Sequence, residues 1–345
     1  MSATNAPVLR VEDLVVEIPT RMGVLTPVRH VNFDIAAGEI LGMVGESGAG
    51  KSITGSAIIR LLERPSRIAA GRVSLLDERI DDLPEPDMRK IRGARIGMVF
   101  QDPLTSLNPL LTVGQQLTET AQEHLALSQR EARSRALQIL NDVGIPASEK
   151  RIDAYPHEFS GGMRQRVVIA LALIAEPQLI IADEPTTALD VSVQAQVLSL
   201  LRRMCRDRGA SVLLITHDMG VIAETTDRVA VMYAGNLLEI GPTRQVLTNP
   251  RHPYTRGLMA STPAATVSSS DNRNSQRLAQ IPGSMPGLLS VPDGCPFHPR
   301  CNETHPPCAT KLPDLLNHQE VSVACHLYSS DSTAVEKRVE VAADE

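Results

Sequence analysis

The chain has 345 residues, 42% of them hydrophobic, enough for one large domain or two with a substantial core. A formal charge of −6 and an isoelectric point near 5.9 argue against general affinity for nucleic acid or for an anionic membrane surface. The longest apolar run, 167–175, falls well short of the roughly 20 residues a spanning helix needs, and no apolar leader opens the chain; any membrane contact is therefore expected through a partner, and the chain reads as cytosolic.

Over 8–35, Leu14, Val16 and Ile18 alternate, as do Val31, Phe33 and Ile35, with Pro19, Gly23 and Pro27 between them. That pattern predicts antiparallel β-structure. The apolar run Ile40, Leu41, Met43, Val44 then leads into Gly45-Glu46-Ser47-Gly48-Ala49-Gly50-Lys51-Ser52. The glycines let the backbone turn tightly, so that successive N–H groups point inward at phosphates, and a helix starting near Lys51 adds its positive end. Lys51 is placed to reach β- and γ-phosphates and the Ser52 hydroxyl to ligate magnesium. An unliganded turn would need one or two of these glycines and has no use for the Lys-Ser pair. Ile58, Ile59 and Leu62 predict a helix over 53–63, stopped by Pro65, and 71–76 reads as a strand.

Arg95 to Gln101 form a short apolar strand ending in an amide, which either reaches a magnesium ion or attacking water at the cradle or is a plain loop residue. Helical periodicity fills 113–143, the mark of a small separate lobe. Ser160-Gly161-Gly162 caps a helix that carries 167–175 and leaves N–H groups open to an anion, although such a cap is also common in ordinary helices. Leu179 to Ala182 form an apolar strand that ends in Asp183 and Glu184. Two acids at a buried strand end are costly without a cation or a reaction to serve. Asp183 is placed to hold magnesium, and Glu184 to polarise the attacking water. Ala188-Leu189-Asp190 opens a helix over 192–208, and the buried strand 211–216 ends at His217, a position matching those of Gln101 and Asp183.

As a set these residues resemble the ATP-binding subunit of ABC transporters. The resemblance identifies Walker A at 45–52, the Q-loop at Gln101, the signature at Ser160-Gly161-Gly162, Walker B at 179–183, the catalytic Glu184, the D-loop at Ala188-Leu189-Asp190 and the H-loop at His217. It implies an α/β P-loop ATPase core with an antiparallel β subdomain, a helical subdomain over about 102–178, and a small C-terminal segment bearing cysteines. The dipeptide and oligopeptide importer branch is the nearer likeness, on Gln101-Asp102-Pro103, Ser106-Leu107-Asn108-Pro109, His252-Pro253-Tyr254-Thr255, Ile281-Pro282-Gly283, and Gly294 to Cys301. Two departures stand out. Met163 occupies the place where the signature usually ends in Gln, and Ile18 holds that of the aromatic that stacks on adenine, so ATP is expected with GTP not excluded.

The resemblance further implies ATP and magnesium as cofactors, with Ser52, Gln101 and Asp183 on the metal. Gly45 to Ser52 would cradle one nucleotide, while Ser160, Gly161, Gly162 and Asp190 would serve the nucleotide of a second ATP-binding subunit. A heterodimer is expected, driving two transmembrane permease subunits fed by an external binding protein, on the cytoplasmic face of the cell membrane. Glutathione, opine or nickel are alternative cargoes among such importers. A soluble ABC-type ATPase of repair or translation would bring a long coiled coil or two cassettes, and neither pattern is present; a small-molecule phosphotransferase would leave Ser160-Gly161-Gly162 unexplained.

The nucleotide-binding domain is expected over 1–250, a C-terminal segment over 251–328 and a mobile tail over 329–345, with a polar linker at 262–277. Cys295, Cys301, Cys308 and Cys325 are spaced by five, six and sixteen residues, with Cys205 left as a small core residue. In a reducing compartment a metal is the better reading than disulfides. The spacing matches neither the usual zinc pairs nor the common ferredoxin runs, and His298, His305 and His326 lie close enough in sequence to join a zinc site. The resemblance implies a four-iron four-sulfur cluster on the four cysteines, structural and remote from ATP.

Overall fold

The computed structural model describes residues 6–103, 105–186, 190–262 and 280–329. Ala188 and Leu189, residues 263–277 of the polar linker together with 278–279, and residues 330–345 of the tail lie outside the described residues.

Strands β1 (Leu9–Thr20) and β2 (Gly23–Ile35) form the expected antiparallel pair, and β3 (Ile40–Val44) runs into the glycine-rich loop and α1 (Lys51–Ile58). The helix predicted over 53–63 stops at Ile58, because its last free carbonyls are taken from outside. Arg92 donates from Nε to Ile59 O at 2.8 Å and from Nη2 to Arg60 O at 3.2 Å, and Arg60 turns left-handed at φ 54°. Strand β4 (Arg67–Leu75) begins four residues before the predicted 71, since β1 pairs with it as far as Glu17↔Arg67. With β5 (Glu78–Arg79) these strands make a four-stranded sheet in the order β2-β1-β4-β5.

After α2 (Glu85–Ile91) and β6 (Ile96–Val99) comes the helical lobe, with α3 (Val113–His124), α4 (Gln129–Asp142), the short α5 (Ser148–Arg151) and α6 (Gly161–Leu173). Thr112 with Gln115 and Ser128 with Glu131 form reciprocal capping boxes at α3 and α4, fixing where each helix starts. Leu117, Ala121, Ala136, Ile139 and Leu140 bury fully against α6, as the periodicity of 113–143 predicts.

The chain then alternates β7 (Leu179–Asp183), α7 (Val191–Arg208), β8 (Ser211–Ile215), α8 (Met219–Thr225) and β9 (Arg228–Tyr233). Gly209 ends α7 in the left-handed conformation at φ 68°, and Cys205 inside that helix is buried core. Strand β10 (Asn236–Pro242), α9 (Thr243–Thr248) and α10 (Pro253–Ala260) lead to the cysteine-bearing segment, with α11 (Pro306–Thr310), β11 (Leu316–His318) and β12 (Val321–Val323). The large sheet has the order β11-β12-β10-β9-β3-β8-β7-β6. Strands β9, β3, β8, β7 and β6 are parallel, so their carboxyl ends lie along one edge. Strands β3, β7 and β8 are buried at every position, the mark of a parallel sheet covered on both faces. Each such Ile or Leu contributes roughly 1.5–3 kcal/mol of burial. A third apolar cluster joins Val44, Val231 and Tyr233 to Tyr254, Phe297, Cys295 and Cys308, packing the cysteine-bearing segment onto the sheet. No helix among the described residues is long and apolar enough to cross a membrane.

Candidate active site

Four neighbouring parallel strands deliver the polar residues to one edge. The loop 45–50 follows β3, His217 follows β8, Asp183 and Glu184 end β7, and Gln101 follows β6.

The loop is wedged between β2 and β9. A Cβ on Gly45, whose φ is 153°, would sit 2.2 Å from Met232 O, and one on Gly50, at φ 103°, 2.4 Å from Pro27 O. No other residue fits either place. Ala49 is buried and its carbonyl accepts the Gly235 N–H at 2.9 Å, while Ser47 and Gly48 face outward. Lys51 is buried, and its Nζ donates to Gly45 O at 2.8 Å and Glu46 O at 3.1 Å. Burial lowers its pKa, against the pull of Glu184, Asp183 and Glu46.

The Ser52 hydroxyl donates to Asp183 Oδ1 at 2.9 Å, which brings two hard oxygen donors together beside the loop. Burial raises the Asp183 pKa and the Ser52 hydrogen bond offsets part of that. The pair offers oxygen donors of the kind magnesium takes, a desolvated carboxylate beside a hydroxyl. Glu184 follows at φ 47°, its N–H held by Ile215 O at 2.9 Å. A left-handed Glu costs on the order of 1–3 kcal/mol, which the neighbouring strand sustains. Gln101 Nε2 donates to Glu184 Oε2 at 3.2 Å, and His217 Nδ1 lies 3.1 Å from Glu184 Oε1. Asp218 fixes the turn after His217 by accepting the Gly220 and Val221 N–H groups that start α8.

The structure therefore brings Lys51, Ser52, Asp183, Glu184, Gln101 and His217 into one cluster. Among the described residues no hydrogen bond or ion pair ties Ser160, Gly161, Gly162 or Asp190 to it. Ser160 caps α6 through the Met163 N–H at 3.4 Å, and nothing lies within 4 Å of where a Cβ on Gly161 would be. That helix start is open to solvent. Asp190 caps α7, accepting from Val193 N–H at 2.9 Å and Ser192 Oγ at 2.6 Å, and the Ser192 hydroxyl holds its carboxyl below the usual range. Met163, at the departure from the usual signature, receives the Arg151 guanidinium on its sulfur at 2.8 Å.

All five cysteines are free thiols. Cys295, Cys301, Cys308 and Cys325 line a single pocket, whereas Cys205 lies apart in the core. Among the described residues no group of three or more His, Cys, Asp or Glu side chains is arranged to hold a metal ion. The nearby histidines already have partners: His298 Nδ1 is 2.9 Å from Cys295 O, His326 Nε2 is 2.7 Å from Lys311 O, and His305 Nδ1 is 3.5 Å from Cys308 Sγ. His252 lines the same pocket. Its Nδ1 accepts the Tyr254 N–H at 3.0 Å, so in the neutral ring the proton sits on Nε2, which is buried and has no partner among the described residues.

The cysteine-bearing segment touches the nucleotide cradle: Arg300, next to Cys301, pairs with Glu46 of the loop at 3.0 Å. Sequence reasoning gave Arg300 no role, and nothing local to it signals one.

The family model described as ABC transporter matches residues 28–187, and that described as oligopeptide/dipeptide transporter, C-terminal region, matches 238–308. The dipeptide transport ATP-binding protein DppD of Bacillus subtilis is 49% identical over 85% of this chain and 86% of its own. The oligopeptide transport ATP-binding protein OppD of Salmonella typhimurium is 47% identical over 87% of this chain and 89% of its own. Among solved structures, the ATP-binding cassette MJ0796, in a dimeric post-hydrolysis state bound to ADP and Pi, superposes with a TM-score of 0.63 at 29% identity, covering 68% of this chain and 99% of that one. With the loop, the strand ends and the open helix start in the family's order on the family's fold, the chain belongs to the ABC transporter ATP-binding subunits of the dipeptide and oligopeptide transport branch.

Proposed function

We propose that this chain hydrolyses ATP to power the import of dipeptides or oligopeptides by a membrane complex. One observation carries the reading. Glu184 is held on both oxygens, by Gln101 and His217, beside the Lys51, Ser52 and Asp183 cluster, which is the arrangement of a base aimed at a phosphate cradle.

The loop amides of Gly45 to Ser52 bind the phosphates, and Lys51 turns from its loop carbonyls to the β- and γ-oxygens. Ser52 and Asp183, with Gln101, would hold magnesium, which when bound neutralises charge on those oxygens. Glu184 takes the proton of the attacking water as the new oxygen–phosphorus bond forms and the bond to the β-phosphate oxygen breaks. His217 keeps Glu184 oriented and presents its exposed ring edge to the γ-phosphate. Ser160, Gly161, Gly162 and Asp190, open and outside this cluster, serve the ATP of a second ATP-binding subunit, an arrangement supported by the dimeric state of the MJ0796 cassette. The ATP-driven closing and opening of that pair, a heterodimer in our reading, moves two permease subunits at the cytoplasmic face of the membrane, fed by an external substrate-binding protein. In this division of labour residues 1–250 carry the nucleotide chemistry and 251–328 the importer-type segment.

We further infer that Cys295, Cys301, Cys308 and Cys325 hold a four-iron four-sulfur cluster. Four thiols around one pocket supply the ligand set, and the unpartnered N–H of His252 supplies a donor for a thiolate or sulfide. Burial pushes the Cys295 thiol up to about 11 and that of Cys325 up to about 12, so thiolates here need a cation beside them. Such a group, when bound, cross-links a segment of little regular structure.

Co-purification from detergent-solubilised membranes tests the function. The chain should come with two permease subunits, and cognate peptide with its binding protein should stimulate ATP hydrolysis. Recovery free of any permease, with hydrolysis indifferent to peptide, would contradict it.

A further inference from the structure

We propose that Arg300 of the cysteine-bearing segment and Tyr254 of α10 set the position of the phosphate-binding loop through Glu46, making both of them positioning residues for ATP. The inference rests on the reading of that loop as the ATP site.

Two bonds converge on one loop residue. The Glu46 N–H donates to Tyr254 Oη at 2.9 Å, and the Glu46 carboxylate accepts from Arg300 Nη1 at 3.0 and 3.1 Å. The second contact spans 254 residues of sequence. Backbone and side chain of Glu46 are thus both fixed, directly after Gly45, whose φ is 153°. The same segment borders the loop again at Gly48, where a Cβ would lie 3.0 Å from Met285 Cε.

The guanidinium cannot follow the loop. Its Nε donates to Pro282 O at 2.8 Å and its Nη1 also to Tyr233 Oη at 3.2 Å, and it sits 5.7 Å from the Tyr233 ring centre and 5.9 Å from that of Phe297. Tyr254 packs against those rings with centroids 4.7 Å and 5.3 Å away. In a chain with four Tyr and four Phe, three of the eight are gathered here, between the cysteine pocket and the loop. Only 7% of the Arg300 side chain and 29% of the Glu46 side chain are exposed, so the pair is largely dry, and removing one charge leaves the other desolvated. A surface pair that merely tethered the segment would show neither the burial nor the bond to the loop N–H.

The test uses the full-length chain and Mg-ATP, with affinity measured by calorimetry and hydrolysis by phosphate release. Glu46→Gln keeps shape and the N–H bond but removes the ion pair. We expect it, and Arg300→Gln, each to weaken ATP binding about tenfold, with the rate at saturating ATP falling less than the affinity. The double variant should be no weaker than the worse single, because both report one contact. Wild-type affinity in Glu46→Gln would overturn the proposal, and that variant decides alone should Arg300→Gln fail to fold. A wild-type chain that binds no ATP would overturn the ATP-site reading and this inference with it, whereas ATP binding that is indifferent to Glu46→Gln sinks the inference only.

Discussion

Lys51 Nζ lies 2.8 Å from the Gly45 carbonyl, so the loop's own backbone holds this buried cation until phosphate oxygens replace it. Burial disfavours its charge and the nearby carboxylates restore it, which leaves the ammonium poised for an anion. Lys51→Ala should lower ATP turnover by at least about a hundredfold, the usual loss when a main charge-stabilising donor is removed. Phosphate release by the purified complex checks this, and a normal rate would remove Lys51 from the mechanism.

Among the described residues no hydrogen bond or ion pair ties Ser160 to the cluster around Glu184, and it sits at an open helix start. Ser160→Ala should therefore reduce hydrolysis in the assembled complex while leaving the chain's own affinity for ATP within about twofold. The cap lost with it costs about 1 kcal/mol of helix stability. Loss of ATP binding by the isolated chain would place Ser160 at its own nucleotide instead.

His252 is 1% exposed, and burial, with the Arg256 charge adding, takes its pKa from 6.5 to about 3. Between those values the unfolded chain binds a proton that the folded chain refuses, so stability rises with pH across the window and is lost as pH falls from about 6.5 towards about 3. His252→Asn retains a cap acceptor for the Tyr254 N–H and does not titrate. Its unfolding free energy from urea titration should vary less with pH between 6.5 and 4 than that of the wild type, by a slope of up to about 1.4 kcal/mol per pH unit. Equal slopes would show that His252 is not buried neutral.

The cysteine pocket makes its own prediction. Protein purified without oxygen should be brown, with broad visible absorption, and should contain iron and acid-labile sulfide. Cys301→Ser should lower the iron content. Colourless protein with stoichiometric zinc, or full iron in the variant, would contradict the cluster.

What the sequence made legible was local. An apolar run with a polar last residue marks a buried strand whose carboxyl end is useful, and Gln101, Asp183 and His217 all showed that pattern before any fold was known. The helical periodicity of 113–143 was local in the same way, whereas the capping boxes at Thr112 and Ser128 were not read from it. Contacts made across the chain were not. Helix α1 is shorter than its periodicity because Arg92, more than thirty residues on, takes its last carbonyls. Strands β11 and β12 have three residues each, too short to show alternation, and the pairing of β12 with β10 and of β11 with β12 exists only in the sheet. His252 caps α10 with a ring nitrogen, a role outside the Ser, Thr, Asp and Asn rule. Arg300 finds Glu46 only because the cysteine-bearing segment folds back over the loop.

The most direct test of the account is Glu184→Gln, which keeps the side chain's shape and removes the base. Glu184 is held by Gln101 and His217, and the amide of the variant can still occupy that place. With Mg-ATP the variant should bind nucleotide like the wild type, release almost no phosphate, and accumulate as a closed pair of ATP-binding subunits seen as a shift in size on gel filtration. Hydrolysis at the wild-type rate would contradict the claim that this strand end is the catalytic centre.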